Sequence, residues 1–379
     1  MKFPWTLVAV LVTLHLSAAT TTPPALIVGA ADDPSNRWSV HSEELIKERV
    51  QRISLPFEVQ YNEKVKHYIK DYVATGYRQT EDILGRSLMY FPIFEHYLAV
   101  HKLPKELMYL PIVESALDPT ADSPAGAAGL WQLMRTTAKQ YGLKMNESHD
   151  ERYDPYRSTE AAVKILADLY RQFKDWRLVL VAYNCGPGKL QAAMRAANCK
   201  DYWELEAHLP AETRRYVPAY IAAAYVVNYY NHHNLKPEYP SLSMREVRVV
   251  KVYQEFTFQE IAAACGIAPK TLALLNPAYT KQAIPLATNG SFLVLPADLI
   301  PTFKNFLAGK TIAKGIIPPP NTFQSTYVVA KGERIEAVAA ALNCTVEELV
   351  KWNRLLKPSV FVNQELIVFL PSAVQAKRA

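Results

Sequence analysis

Between Ser42 and Tyr230 the chain carries apolar residues at helical spacing and almost no strand signal, and then that pattern stops. One clear case is Ser158-Thr159-Glu160, which reads as an N-cap with an acidic first turn, followed by Ala162, Ile165, Leu166, Leu169 and Phe173 on one face. The segment 231–245, with Pro237 and Pro240 among polar residues, reads as a linker. Beyond it a unit recurs at an offset of 77 residues, which places Phe258 on Ile335, Ala262 to Ala264 on Ala339 to Ala341, Leu272 on Leu349 and Asn276 on Asn353. Each copy opens and closes on a β-rich stretch, Val247 to Val252 with Phe292 to Pro296, then Thr326 to Val329 with Leu366 to Pro371. Two short helical patterns lie between, and a unit of about 50 residues is near the lower limit for a domain with its own core. The expected fold class is therefore multidomain: a mainly α domain over 37–230, with an N-terminal helical arm, then two small α+β units of βααβ order at 246–300 and 323–372. Residues 310–322, with Pro318-Pro319-Pro320, read as a stiff spacer between the two units.

The N-terminus carries a second signal. Lys2 precedes the apolar run Thr6 to Ala19, and Ser17-Ala18-Ala19 supplies the small residues a signal peptidase reads, so 1–19 is expected to be a cleaved secretory signal. The run is shorter than the ~20 residues a bilayer span requires, which argues against a stable transmembrane anchor. Residues 20–36, rich in Thr, Pro and Ala, read as a flexible leader, and the expected location is outside the cytoplasm, in the periplasm or associated with the envelope. The four cysteines, Cys185, Cys199, Cys265 and Cys344, are too few for a disulfide framework and read as buried thiols, with a Cys185–Cys199 bridge left open. A net charge of +6 without a Lys/Arg block argues against nucleic acid as a partner, and no cofactor or metal site is expected.

Chemistry concentrates in YLPIVESALDPTADSPAGAAGLWQLM, Tyr109 to Met134. Glycosidic cleavage needs a proton for the leaving oxygen, hence a carboxyl kept protonated near neutral pH by burial or a negative field. Glu114 lies among Ile112, Val113, Ala116 and Leu117, in a helix that Asp118-Pro119 is expected to end, where the helix dipole disfavours its ionised form. Pro111 must kink that helix or start a new turn. Asp122-Ser123-Pro124 is a turn signal, and Leu130, Leu133, Met134 and Ala138 read as the buried side of a helix closed by Gly142, from which Trp131 and Gln132 would project. Further on, Ala182-Tyr183-Asn184-Cys185-Gly186-Pro187-Gly188 ends an apolar helix in a glycine-rich turn, and Arg215-Tyr216-Val217-Pro218 starts a Tyr-rich one. Aromatic faces and amides of this kind suit a glycan groove.

Together the segments GRSLMYFPIFEHYLAVHKLPKELMYLPIVESALDP, AGAAGLWQLM, DERYDPYRSTEAA, AYNCGPGKL and ETRRYVPAY, from about Phe57 to Tyr230, resemble the lytic transglycosylases of goose-type lysozyme fold, most closely those of the D-type membrane-bound class. The resemblance implies a lysozyme-like catalytic domain acting on peptidoglycan glycan strands, with Glu114 as the lone acid and base. It also implies substrate contacts from Ser123, Gln132, Met134, Tyr183, Asn184 and Tyr216. The expected reaction cleaves the bond between N-acetylmuramic acid and N-acetylglucosamine to leave a 1,6-anhydro end, the substrate's acetamido group making a second carboxylate unnecessary. Asp118, the only near candidate for that carboxylate, is expected to be structural. The repeats resemble LysM modules, which bind such glycans, although Gly332-Glu333 replaces the usual Gly-Asp, Asn363-Gln364 the usual Gly-Gln, and Glu255-Phe256 stands where the first copy should carry its glycine pair. Two alternatives remain at this point: a hydrolytic muramidase, and a wall-binding protein with an idle catalytic domain. The repeats are expected to be separable, so that deletion from Asn231 onward would weaken sacculus binding yet spare turnover of short soluble chains.

Overall fold

The structure, a computed structural model, describes residues 36–39, 42–252, 254–286, 290–313, 322–330, 332–355, 357–362 and 364–371. The expected signal, nearly all of the leader, and residues 314–321 of the expected spacer lie outside them.

The first domain is helical because its apolar residues recur at helical spacing, and several of its helix starts are capped. Ser42 accepts from Leu45 N at the head of Glu43–Gln51, and Asn62 from Val65 N at the head of Glu63–Lys70. Asp154, not Ser158, caps Pro155–Phe173, accepting from Tyr156 N and Arg157 N at 2.8 and 3.0 Å. The helix thus starts a turn earlier than the sequence suggested, because Pro155 suits a first helical position and Asp154 is the better acceptor before it. Ser158 and Thr159 instead lie inside it and are buried.

At the centre runs Tyr216–Tyr229, apolar on every side and buried from Tyr216 through Val226, as a helix surrounded by others must be. It packs against Glu63–Lys70, Leu110–Ser115 and Trp176–Cys185. Its tyrosines bury hydroxyls only where partners exist: Tyr220 donates to Glu106 O at 2.8 Å, and Tyr225 meets His233 Nε2 at 2.8 Å. His233 Nδ1 lies 3.1 Å from the carbonyl of Arg37, which can only accept, so this ring nitrogen carries the proton and Nε2 accepts from Tyr225. The linker is held down as well. Glu238 N donates to Glu81 O at 3.1 Å, Lys236 N to Glu81 Oε1 at 2.7 Å, and a methyl group at Gly85 would come within 1.8 Å of Glu238 O.

The two repeats form the expected units. In the first, Val247–Val252 pairs antiparallel with Ser291–Pro296 around helices Phe258–Cys265 and Pro269–Leu275; in the second, Thr322–Val328 pairs with Glu365–Pro371 around Ile335–Ala341 and Val346–Asn353. The repeated asparagine does the same job in each. Asn276 donates to Leu272 O and Val294 O and accepts from Val294 N, at 3.0, 2.8 and 2.7 Å. Asn353 treats Leu349 and Ile367 identically, at 3.0, 2.8 and 2.6 Å, so one side chain pins the second helix to the last strand. Glu333, which stands where aspartate is usual, accepts from Ala330 N and Tyr327 Oη, each at 2.7 Å. The first unit runs past Ile300, since the helix Ile300–Ala313 sends the fully buried Phe303 into its core. The four cysteines are free thiols, with no Cys185–Cys199 bridge. No helix among the described residues is long and apolar enough to cross a membrane.

Candidate active site

Pro111 starts the helix Leu110–Ser115 rather than kinking a longer one, since in a first turn its missing N–H forfeits no hydrogen bond. The helix stops after Ser115, ahead of the expected Asp118-Pro119 end, because Ala116 and Leu117 adopt left-handed backbone with φ of 53° and 59°. Glu114 is thereby held in the last turn. Ser115 Oγ donates to Pro111 O at 3.1 Å and to Leu130 O at 2.9 Å, which ties this helix end to the loop carrying Gln132.

Glu114 is half-buried, and desolvation of its carboxyl pushes the pKa from 4.5 up to about 7. A short hydrogen bond donated by Tyr216 Oη to Oε1 favours the ionised form and opposes that rise, while the negative charge of Glu212 adds to it. Tyr183 stands on the adjoining Trp176–Cys185 helix, its hydroxyl donating to Trp131 O at 2.8 Å. Burial, and then the charge of Glu114, keep the phenols of Tyr183 and Tyr216 far above their ordinary range, so both remain neutral donors. Asn184 is oriented by Thr213, whose hydroxyl donates to its Oδ1 at 2.8 Å. Three of the expected residues, Glu114, Tyr183 and Tyr216, thus form one interacting group, with Asn184 next to Tyr183.

Ser123, Gln132 and Met134 belong to the adjoining loop 121–134, which Ser115 and Tyr183 bond at Leu130 O and Trp131 O. The helix expected here is not formed: Leu133–Met134 is a two-residue strand paired with Ala127–Ala128, and the helix spans only Arg135–Gln140. Trp131 does not project. It is fully buried, its Nε1 donating to Thr159 Oγ1 at 2.9 Å, and Met134, expected inside, is 43 % exposed. Gln132 adopts φ of 45° and donates from Nε2 to Ala121 O and Gly129 O at 3.1 and 2.9 Å, so its amide nitrogen shapes its own loop. Ser123 Oγ accepts from Ala127 N at 2.9 Å and closes the turn.

Below the loop lies a buried ion pair. Arg152 engages Asp150 through Nε and Nη2, with Nη2 at 2.8 Å, and donates from Nη1 to Gly126 O at 2.7 Å and to Leu133 O at 3.2 Å. Gly129 lies directly on Arg152, where a Cβ would sit 2.1 Å from its carbonyl oxygen, and its φ of 76° is also one that favours glycine. Arg152, Thr213 and Glu212 were not singled out from the sequence, although all three fall inside the segments quoted above. Nothing in their residue types announces a partner so far away along the chain. The carboxylate of Asp118 is occupied locally, accepting from Thr120 N and Oγ1 at 2.8 and 2.7 Å. Among the described residues, no group of three or more His, Cys, Asp or Glu side chains is placed to hold a metal ion.

Comparison with known proteins fits this arrangement. The family described as Transglycosylase SLT domain matches residues 92–206, the LysM-like domain of lytic transglycosylase MltD matches 246–311, and the LysM domain matches 327–369. Membrane-bound lytic murein transglycosylase D of Escherichia coli (strain K12) is 28 % identical over 323 residues, covering 83 % of this chain and 70 % of that protein. Soluble lytic murein transglycosylase of the same strain is 31 % identical over 143 residues, 36 % of this chain and 22 % of that protein. The solved 70 kDa soluble lytic transglycosylase of Escherichia coli aligns at 24 % identity with a TM-score of 0.35, covering 44 % of this chain and 29 % of that one. The chain thus carries a Transglycosylase SLT domain on its helical bundle, then an MltD-type LysM-like domain and a LysM domain, and with these in that order it is similar to the lytic murein transglycosylases of the D type.

Proposed function

We propose that this enzyme cleaves the β-1,4 bond between N-acetylmuramic acid and N-acetylglucosamine without water, and that Glu114 alone handles the protons. Protonated Glu114 gives its proton to the leaving glycosidic oxygen as that bond to C1 breaks. The resulting carboxylate then takes the proton of the muramyl 6-hydroxyl as O6 bonds to C1, which closes a 1,6-anhydro ring and returns the acid to its starting state. The observation that carries this reading is the carboxyl of Glu114, bonded by Tyr216 and with its pKa raised to about 7, suited to both halves of the cycle. Asp118, its neighbour one turn on, is spent on Thr120, and the acetamido group of the substrate would serve where a second carboxylate would otherwise stand. Ser123, Gln132, Met134, Tyr183, Asn184 and Tyr216 would line the glycan groove, and the LysM-type modules would hold the enzyme to the wall. An exported, envelope-associated location accords with the leading segment 1–19 and with a substrate outside the cytoplasm.

The mass spectrum of products from purified peptidoglycan tests the reaction, because anhydro ends weigh one water less than hydrolytic ones. Reducing ends alone would sink the non-hydrolytic reading in favour of a muramidase. Glu114→Gln should lower turnover by about 10³-fold, the middle of the range for losing a general acid and base. Unchanged release of muropeptides from that variant would overturn the assignment of Glu114.

A further inference from the structure

The first LysM-like module is joined to the catalytic domain by a small, specific dock. Asp150 N donates to Ala278 O at 2.9 Å, Thr280 N to Ser148 O at 3.2 Å, and Thr280 Oγ1 to Glu147 O at 3.0 Å. The ring of His149 packs on Tyr279 with centroids 4.9 Å apart. Tyr279 is itself rigid, because its hydroxyl donates to Phe292 O at 2.6 Å and its ring packs against Phe258 in the module core. Fixed by Glu81 and Gly85, the linker brings the module to this face on a short, held lead.

From the dock to the groove there is no break. Asp150, whose N–H is held by the module, grips Arg152, and Arg152 holds the carbonyls of Gly126 and Leu133. The next residue, Tyr153, donates from its hydroxyl to Asp122 Oδ1 at 2.6 Å. The loop 121–134 therefore rests on residues 150–153, and these rest on the module. We propose that the first LysM-like module is a brace for the substrate groove: through Ala278, Tyr279 and Thr280 it fixes Asp150 and so positions the loop that carries Ser123, Gln132 and Met134. A buried ion pair favours folding only when its geometry is fixed, because it must offset the desolvation of both charges. Loosening the backbone of Asp150 loosens Arg152 and passes directly into the loop carbonyls. Deletion from Asn231, which the sequence alone suggested would spare short substrates, should instead impair them.

The functional half of this proposal rests on the groove reading above, while the structural half does not. Two pairs of substitutions in the full chain open the dock from opposite sides: Glu147→Lys with His149→Gly on the catalytic domain, and Thr280→Val with Lys281→Glu on the module. Hydrogen exchange should find the amides of Asp150 and Thr280 protected in the parent chain. In either variant these amides and those of residues 123–134 should exchange about tenfold faster, since local openings are what such amides report. The KM for a short soluble glycan should rise about fivefold, the scale of a modest loss of fixed structure. The pH at which kcat falls should move by less than the KM does, because neither Glu114 nor Tyr216 bonds to the dock or to the Asp150–Arg152 pair. Fast exchange at Asp150 and Thr280 in the parent chain would overturn the proposal. So would variants that open the dock and leave both residues 123–134 and the KM as they were. Should one pair fail to fold, the other pair and the parent exchange still decide. Activity remaining in Glu114→Gln would count against the catalytic reading alone and leave the exchange result standing.

Discussion

Tyr216 and Glu212 act on the same carboxyl with opposite sign, and that opposition can be measured. A hydrogen bond to the carboxylate favours the ionised form of Glu114, whereas the negative charge of Glu212 disfavours it. If Glu114 is the acid proposed above and begins the cycle protonated, kcat should fall as the pH rises through about 7. Tyr216→Phe removes the bond that holds the pKa down, so this descending limb should move to higher pH, by about one unit. Glu212→Gln should move it to lower pH by less, and only in dilute buffer, since Glu212 is exposed and salt screens it. Profiles that coincide with the parent in both variants would show that Glu114 does not set the limb. The setting of Glu114, a carboxyl among apolar neighbours at a helix end, was legible from the sequence, because these are local facts. Its two modulators were not, since Tyr216 lies 102 residues away and only packing brings it to Glu114.

At the level of elements, loop 121–134 shows where pattern reading stops. Leu130, Leu133 and Ala138 do carry helical spacing, and all three are buried as expected. Two constraints override that spacing. Gly129 must lie flat on the Arg152 carbonyl, and Gln132 must turn left-handed to reach Ala121 O, so no helix can run through both. Gly129→Ala tests the first constraint: its methyl would enter the Arg152 backbone at a φ that disfavours side chains, which should cost about 3 kcal/mol or more in stability. The check is denaturant unfolding, and a change within about 0.5 kcal/mol, the ordinary range for surface substitutions, would refute the contact. The modules were read more fully than the loop. Their β-rich ends, their two short helical patterns and the recurrence of Asn276 at Asn353 all come from short stretches of chain, and a repeat states its own alignment.

Over the whole molecule, the two modules differ in kind despite their common fold. Each carries its own core, but the first is docked on residues 147–150 of the catalytic domain, whereas the second is met by the first module, where Lys251 Nζ lies 5.1 Å from the Phe361 ring centroid. A chain ended after Ala313 should therefore pellet with intact sacculi about tenfold less well, the loss expected when one of two attachments is removed. Its turnover of short soluble glycans should stay within about twofold of the parent, since removal of distant, independent groups adds little at the site. Pelleting equal to that of the parent would refute a binding role for the second module. The sequence placed the break between domains near 231–245, and composition does change there, but the fold continues across it. With Glu238 lying over Glu81 and Gly85, the long helix Tyr77–Val100 gains part of its cover from chain made more than 130 residues after the helix ends. Long-range closure of this kind is slow, because the entropy of the intervening loop must be overcome before the contact is gained. A nascent chain halted short of residue 238 would leave that helix face bare, open to any chaperone or protease that reaches it first.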